Sequence, residues 1–208
     1  GTLQRFERKE DKWEAVAEPF AVTIGKKGSA WGLGLHLPQN TGPQKIEGDG
    51  KAPAGIFSIG TSFGYAPALG TKLAYQAMTD TDWCVDVNAS PLYNQIVSTR
   101  TVGIQAVEGS TEPMRRDLQL NGDQLYRKGF VIAHNPNNIP KAGSCIFAHL
   151  WRAPGKPTAG CTAMDAADMD ELLQWLDAGK SPRFVLLPIE QYHQLQKSWH
   201  LPALKDEL

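Results

Sequence analysis

The chain of 208 residues is long enough to bury the core of one large domain or two small ones. Its 21 Lys and Arg residues nearly balance 22 Asp and Glu residues. The resulting formal charge of -1 argues against a nucleic-acid-binding protein, which needs a basic face. No apolar run approaches the roughly 18 residues of a membrane span, so no membrane-spanning segment is expected.

Short apolar segments separated by turn residues predict a mainly β fold, and the 20 glycines and 14 prolines favour turns between strands. After an edge strand within residues 1–16, the predicted strands are Phe20–Ile24, Ile56–Ile59, Leu73–Met78, Trp83–Val87, Tyr93–Val97, Gly129–His134, Ser144–His149 and Arg183–Leu187. Leu35–Leu37 is expected to pair back as a hairpin, and residues 38–55 predict a long loop. Residues 103–122 fit either a helical turn or a loop with an outward Arg115–Arg116 pair.

The clearest helix pattern covers residues 165–178. Asp165 is a suitable N-cap, and Gly179 is a natural stop. Apolar side chains recur at helical spacing at Met169, Leu172, Leu173 and Leu176. A closing C-terminal helix is predicted from residue 189 to Trp199.

A histidine and a cysteine stand out in the stretch Gly143–Met164. Strand alternation places Cys145, Phe147 and His149 on one face, with His149 at the end of the strand. Cys161 follows twelve positions later in a Thr-Ala-Gly-Cys turn, and a loop of that length can fold back. The pair predicts nucleophilic catalysis, with Cys161 as the nucleophile and His149 as its base.

Two further features of this stretch favour the same chemistry. Gly160 lacks a Cβ, which allows a tight turn, close approach of a substrate backbone and backbone amides that stabilise an oxyanion. The predicted helix 165–178 begins just beyond Cys161. Its positive end and the adjacent imidazole are expected to favour the thiolate.

The three cysteines suggest one disulfide and one free thiol if the protein is exported. Cys84 and Cys145 both lie in strand-like runs and are the predicted pair, which leaves Cys161 free. Three reduced, buried cysteines are the alternative. Because the chain begins with Gly1 instead of Met, we take it as a processed or recombinant form from which a signal peptide has been removed.

The order of the motifs resembles the catalytic domain of the YkuD-type (ErfK/YbiS) L,D-transpeptidases, a family of bacterial peptidoglycan enzymes. Their signature is a histidine at a strand end, a variable loop, and then Ser/Thr-x-Gly-Cys. Three upstream segments also match the family pattern, namely KIEGDGKAPAGIFSIGTSFGY (45–65), WCVDVNASPLYN (83–94) and GFVIAHN (129–135). The resemblance implies a single mixed β-barrel or sandwich with a few peripheral helices.

The resemblance also implies a division of the chain and a reaction. Residues 1–19 would form an N-terminal strand or extension, residues 20–188 the catalytic domain, and residues 189–208 a C-terminal helix and tail packed on it. Cys161 would attack the carbonyl of the L-centre residue, usually diaminopimelate, in a tetrapeptide stem, and the terminal D-alanine would leave, protonated by His149. An amine acceptor would then resolve the thioester, whereas water would give L,D-carboxypeptidase activity.

Several further residues are candidates for contact with the stem peptide: Thr158, His134, Trp151, Arg152 and Tyr65. The chain departs from the family at Ala159 and Ala163, where many members have histidine and arginine or asparagine. His149 must therefore serve as the only base in this segment. Arg152 or the Asn135–Asn138 loop is the candidate replacement for the missing grip on the donor peptide.

Two other functions and a zinc site are alternatives to the transpeptidase. A sortase-like or amidase-like cysteine peptidase is disfavoured, because the first arginine after the nucleophile is Arg183. A non-catalytic wall-binding module with the same fold is the second rival. A zinc site of His134, His149, Cys145 and Cys161 fits no common zinc spacing, and neither a metal nor another cofactor is expected.

The expected location is the periplasm or another part of the exported cell envelope. The expected partners are peptidoglycan stem peptides, with carbapenem β-lactams as acylating agents, and the oligomeric state is left open. The C-terminal sequence Lys-Asp-Glu-Leu reads as a retention signal of the endoplasmic reticulum. We interpret it as coincidental or engineered, since the family resemblance is bacterial.

Overall fold

The computed structural model describes residues 1–204. The C-terminal Lys-Asp-Glu-Leu tetrapeptide, residues 205–208, lies outside the described residues. The fold is mainly β, with 33% strand and 16% helix, as predicted. A curled mixed sheet forms a half-barrel, and four helices accompany it within residues 1–204, including one near the C-terminus.

The chain opens with an antiparallel hairpin of β1 (Thr2–Lys9) and β2 (Lys12–Ala21). The tight turn between the strands uses Glu10 in the left-handed region, with φ at 54°. The hairpin is attached to the body by Arg5, whose guanidinium lies 2.8 Å from the Glu171 carboxylate. The region predicted as an edge strand with a loose terminus is therefore an ordered two-stranded arm.

The remaining elements follow in chain order. The strands are β3 (Ser29–Trp31), β4 (Ala52–Gly64), β5 (Tyr75–Ala77), β6 (Asp82–Cys84), β7 (Ile96–Ser98), β8 (Glu112–Pro113), β9 (Lys128–Ile132), β10 (Phe147–Leu150), β11 (Thr162–Met164) and β12 (Arg183–Leu186). The helices are α1 (Thr99–Val102), α2 (Arg116–Gln119), α3 (Ala166–Trp175) and α4 (Ile189–Leu195).

The central sheet has the strand order β11-β10-β9-β4-β12, and β3 and β5 also pair with the long strand β4. β9 pairs antiparallel with both β4 and β10, whereas β10 and β11 run parallel at one edge. A separate three-stranded sheet has the order β7-β6-β8. The parallel strands β10 and β11 both lie within the Gly143–Met164 stretch that contains the candidate histidine and cysteine.

The side chains of β10 alternate between two cores, as the sequence predicted. Ile146, Ala148 and Leu150 pack into a core that also contains the apolar face of α3. Cys145 and Phe147 pack into a second cluster on the opposite side. Because buried apolar surface stabilises the fold on both faces, β10 is held in one register.

Helix α3 is shorter than the predicted helix 165–178. The Asp165 side chain accepts a hydrogen bond from Ala167 N–H, so the predicted N-cap is correct. The helix ends at Leu176, whose ψ of 132° is extended, and Gly179 lies in the following 3-10 turn instead of acting as the stop. Leu176 is the last of the periodic apolar side chains, and it packs in the core.

Several other sequence expectations were wrong in detail. Leu35–Leu37 forms no strand, because this segment runs along the surface with Leu37 80% exposed. His36 in the same segment is half-buried and packs between Phe57 and Trp199. β4 begins at Ala52, so the predicted 38–55 loop ends earlier than expected.

No helix within residues 1–204 has the length and apolar character that a membrane crossing requires.

Candidate active site

His149 lies on β10, and Cys161 directly precedes the parallel neighbouring strand β11. His149 pairs with Ala163 of β11, and Cys161 comes two residues before Ala163. Cys161 packs against the cluster that contains Phe147 and Tyr126, and the His149 ring lies 5.3 Å from the Tyr126 ring, centroid to centroid. The fold therefore brings the two residues predicted from the sequence to the same aromatic cluster.

The Thr158–Cys161 turn fixes the cysteine. Thr158 Oγ1 donates to the Cys161 carbonyl at 2.6 Å and accepts from the Gly160 amide at 3.1 Å. The hydroxyl is occupied by its own turn, which favours a structural role for Thr158 over the predicted substrate contact. The same bond occupies the Gly160 amide, so this amide is not the oxyanion donor that was expected.

Gly160 allows close packing within the protein, whereas the sequence predicted the close approach of a substrate backbone. A Cβ at this position would lie 3.0 Å from the Lys51 carbonyl oxygen and 3.5 Å from Ile146 Cδ1. The glycine thus allows the turn to pack on its own protein chain. Its contribution is to position Cys161.

Cys161 is half-buried, and its sulfur contacts backbone groups of the neighbouring strand. Phe147 N–H points to Sγ at 3.3 Å, and Sγ lies 3.5 Å from the Cys145 carbonyl. An N–H group aimed at sulfur stabilises developing negative charge, whereas a carbonyl accepts a hydrogen bond from the neutral thiol. The two contacts hold the sulfur in place before any substrate binds.

The imidazole of His149 is buried and held in one tautomer. Its Nδ1 lies 2.7 Å from the Leu150 carbonyl oxygen, which can only accept, so Nδ1 carries the hydrogen. In the neutral ring, Nε2 is then the proton acceptor. A backbone carbonyl thus does for His149 what a carboxylate does in a catalytic triad.

Both members of the pair are neutral in the resting protein. Burial raises the pKa of the Cys161 thiol to about 12, and the negative charge of Glu112 acts in the same direction. Burial lowers the pKa of His149 to about 4, against the opposing effect of the Leu150 carbonyl. The expected resting thiolate is therefore not supported. A neutral base beside a neutral thiol remains suited to proton transfer during attack.

The helix dipole was expected to act on the nucleophile, and its placement argues against this. Strand β11 separates Cys161 from the N-cap Asp165, a distance of about 13 Å at about 3.3 Å per residue. The effect of a helix terminus fades beyond its first turn. Sequence patterns missed the short β11, so the helix seemed to begin directly after the turn.

A disulfide joins Cys84 and Cys145, the pair that the sequence predicted, and leaves Cys161 free. Cys145 has a left-handed backbone with φ at 56°, and its N–H donates to Asn94 Oδ1 at 2.9 Å. The disulfide therefore helps to fix Cys145, whose carbonyl contacts Cys161 Sγ. It also removes Cys145 from the zinc site that was considered. Among residues 1–204, no three His, Cys, Asp or Glu side chains form a metal-binding group.

His134 lies apart from the pair. Its ring is buried, with Nδ1 accepting from Leu33 N–H at 3.2 Å and Nε2 donating to the Ala142 carbonyl at 2.8 Å. Burial lowers its pKa to about 4, which keeps the ring neutral. With both nitrogens engaged by backbone, the placement favours a structural role over the predicted substrate contact.

Trp151 and Arg152 follow His149 at the end of β10, where they line a cavity of about 760 Å³. Arg152 is 66% exposed and lies 2.9 Å from the Asp123 carboxylate. Leu150, whose carbonyl holds the imidazole, is also in the wall. The cavity is therefore next to the proposed base, and both side chains remain candidates for ligand contact.

Tyr65 contacts the segment that contains Asp123 but does not line this cavity. Its hydroxyl donates to the Asp123 carbonyl at 3.1 Å, and the Arg115 guanidinium stacks 4.9 Å from the ring centroid. Burial raises the pKa of Tyr65 to about 12. Of the two alternatives for residues 103–122, the structure has the helical turn, α2 (Arg116–Gln119), and not the loop with an outward Arg115–Arg116 pair, since both guanidiniums are mostly buried and paired.

Three residues near the pair were not identified from the sequence: Glu112, Arg116 and Tyr126. Glu112 and Arg116 belong to residues 103–122, which gave no clear secondary-structure pattern, and Tyr126 follows shortly after. Arg116 lies 3.3 Å from Glu112 and 3.2 Å from Asp123. The Glu-x-x-x-Arg spacing on a short helical turn was the available signal, but such a pair usually marks an exposed salt bridge.

Comparison with protein families decides the relationship. The model of the YkuD family, the L,D-transpeptidase catalytic domain, matches residues 8–185. The chain belongs to the YkuD L,D-transpeptidase family. No curated protein and no solved structure matches it.

Members of the YkuD family are transpeptidases of the cell envelope that act on peptidoglycan peptides. The matched segment contains the β10–β11 edge, the disulfide and most of the β1–β2 hairpin. It ends in β12, before α4. The candidate pair therefore lies within the part of the chain that defines the family.

Proposed function

We propose that this chain is a peptidoglycan L,D-transpeptidase that uses Cys161 as nucleophile and His149 as general base. The observation that carries the proposal is the position of the one free thiol among residues 1–204. It packs against the same Tyr126 cluster as a buried histidine whose tautomer leaves Nε2 as the acceptor. Membership of a transpeptidase family supplies the substrate class.

The first half-reaction acylates the enzyme. His149 Nε2 takes the thiol proton while Cys161 Sγ attacks the carbonyl carbon of the L-centre residue in the stem tetrapeptide. The bond between that carbonyl carbon and the terminal D-amino acid breaks. The leaving amine receives the proton from His149, and a thioester remains on Cys161.

The second half-reaction regenerates the thiol. The amine of an acceptor peptide loses a proton to His149 and attacks the thioester, and the protonated sulfur leaves. Because the base starts neutral, it can accept a proton in each half-reaction and return it. Water in place of the amine would give a tripeptide product, so L,D-carboxypeptidase activity is a second outcome of the same intermediate.

The test uses purified sacculi rich in tetrapeptide stems, followed by mass spectrometry of the released muropeptides. The wild-type chain should produce crosslinked dimers and free D-amino acid, and Cys161→Ala and His149→Gln should produce neither. Tripeptide monomers without dimers would assign the hydrolytic reaction. An unchanged product pattern with Cys161→Ala would refute the proposal.

Carbapenems provide a second probe of the same sulfur. Attack of Sγ on the β-lactam carbonyl opens the ring, so the protein mass should rise by the full mass of the drug, with the label on Cys161. A folded protein that remains unlabelled would count against the thioester mechanism.

We also propose that the chain acts outside the cytoplasmic membrane. Its substrate lies there, and the Cys84–Cys145 disulfide is typical of an oxidising compartment. Thiol labelling of the protein extracted from the envelope should reveal one reactive thiol. Three labelled thiols would contradict the proposed location.

A further inference from the structure

Tyr126 connects the candidate pair to a cluster of charged side chains. The tyrosine is 3% exposed, and its hydroxyl donates to Glu112 Oε2 at 2.7 Å. The Arg116 guanidinium carbon lies 4.9 Å from the ring centroid, in cation–π contact. The ring is thus held at its hydroxyl and over its face.

The same ring contacts both sides of the candidate site. It lies 5.3 Å from the His149 ring, centroid to centroid, at an interplanar angle of 65°. It also lies 5.4 Å from the ring of Phe147, whose N–H points to Cys161 Sγ. A displacement of Tyr126 would therefore change the surroundings of both the base and the nucleophile.

We propose that Tyr126 is a positioning residue for His149, and that Glu112 and Arg116 hold it in place. The proposal rests on the proposed function. Among residues 1–204, the imidazole has one hydrogen bond, from Nδ1 to the Leu150 carbonyl, and rotation about that axis must be limited by packing. The inclined Tyr126 ring supplies that packing and limits rotation of the imidazole, which in the proposed mechanism must present Nε2 to Cys161.

The hydroxyl and the guanidinium explain why a tyrosine occupies this position. A buried hydroxyl needs a partner, and a carboxylate is a strong one. Arg116 Nε has no hydrogen-bond partner among the described residues, whereas the guanidinium keeps its contact with the ring. Glu112 and Arg116 therefore both contact Tyr126, in addition to pairing with each other.

Several charged groups influence the pKa values of His149 and Cys161, so no single charge determines them. The pKa of His149 is influenced by the charges of Arg116, Asp123 and Arg152. The pKa of Cys161 is influenced by the charges of Glu112, Arg116 and Lys45. Tyr126→Phe deletes no charged side chain, but it removes the hydrogen bond that, against the effect of burial, lowers the pKa of Glu112, so the His149 NMR signals are needed beside the alkylation profile to report on positioning.

The test compares Tyr126→Phe with a matched control, Tyr93→Phe. Tyr93 is also a buried tyrosine, 1% exposed, whose hydroxyl donates to a glutamate, Glu47, but it has no stacking contact with His149. Three quantities are measured for each folded variant: kcat and KM for transpeptidation, the pH profile of Cys161 alkylation, and the imidazole nitrogen NMR signals of His149. The more severe Tyr126→Leu is added as a second variant.

Tyr126→Phe should lower kcat by about 10-fold or more with KM unchanged, because small misplacements of a catalytic group are costly. It should also shift the His149 signals and the alkylation profile, and Tyr93→Phe should change neither. Equal behaviour of the two phenylalanine variants would overturn the proposal, whether or not Tyr126→Leu folds. If the wild type lacks transpeptidase activity, the proposed function fails, but the NMR and alkylation comparison still decides the positioning role.

Discussion

At the scale of single residues, burial determines how Cys161 and His149 can react. Burial raises the thiol pKa and lowers the imidazole pKa, so a resting thiolate–imidazolium pair is disfavoured from both sides. In the proposed mechanism, proton transfer must then accompany attack on the substrate. The Phe147 amide and the Leu150 carbonyl prepare the two groups for this step by holding the sulfur and the ring.

The pH dependence of thiol alkylation tests the neutral pair. With a Cys161 pKa of about 12, the rate with iodoacetamide should be low at pH 7 and should still be rising above pH 9. His149→Gln should change this profile little, because the histidine is already neutral at pH 7. A rate plateau below pH 8 that disappears in His149→Gln would instead demonstrate a resting ion pair.

Two buried neutral histidines predict destabilisation by mild acid. The pKa values of His134 and His149 are about 4 in the folded protein, below the ordinary 6.5. A lowered folded pKa contributes stability that is complete above pH 6.5 and is lost as the pH falls towards 4. Each histidine should add a slope of up to about 1.4 kcal/mol per pH unit to the free energy of unfolding.

Urea unfolding from pH 7 to pH 4.5 measures that slope. His149→Gln should reduce it by the equivalent of one proton. If the wild type had the same unfolding free energy at pH 7 and pH 4.5, neither histidine would be buried in neutral form.

At the scale of secondary-structure elements, the position of α3 predicts that its N-cap affects the stability of the fold but not the reactivity of Cys161. The Asp165 side chain caps the helix, so Asp165→Ala should lower the unfolding free energy by about 1 kcal/mol. Asp165→Asn retains a capping oxygen and should cost less. Because β11 keeps the helix terminus away from Cys161, both variants should alkylate at the wild-type rate. A slower rate only in Asp165→Ala would show that the helix terminus does act on the thiol.

Elements with a strong local pattern were predictable from the sequence, and elements defined by pairing were not. The Asp165 cap, the apolar face of α3 and the alternation in β10 all follow from neighbouring residues. The three-residue β11 exists because it pairs with β10 and with Thr23, and no local periodicity marks it. The same limit applies to Glu112 and Tyr126, which are joined across fourteen positions.

At the scale of the whole molecule, contacts between distant segments link the terminal regions to the body. The Arg5–Glu171 ion pair and the Trp175 indole bond to Glu7 attach the N-terminal hairpin to α3. Trp199 packs against Trp31 at the other end of the chain. We propose that the hairpin, the sheet and the C-terminal helix unfold as one unit, with coincident transitions by fluorescence and circular dichroism.

The disulfide should contribute strongly to that unit. Cys84 and Cys145 are 61 positions apart, and closing a loop of this length in the unfolded chain is worth about 4 kcal/mol. Reduction should therefore lower the urea midpoint of the wild type. The double variant Cys84→Ala/Cys145→Ala should begin at that lower midpoint and be insensitive to reductant. Equal midpoints for oxidised and reduced wild type would remove the disulfide from the account of stability.

The central claim is that Cys161 carries the acyl group. It is tested most directly by intact-protein mass spectrometry after rapid mixing with a tetrapeptide donor in the absence of an acceptor amine. The wild-type protein should gain the mass of the stem tripeptide acyl group, and peptide mapping should place it on Cys161. Cys161→Ala should gain nothing. Product formation with no mass gain, or a gain that persists in Cys161→Ala, would contradict the thioester mechanism.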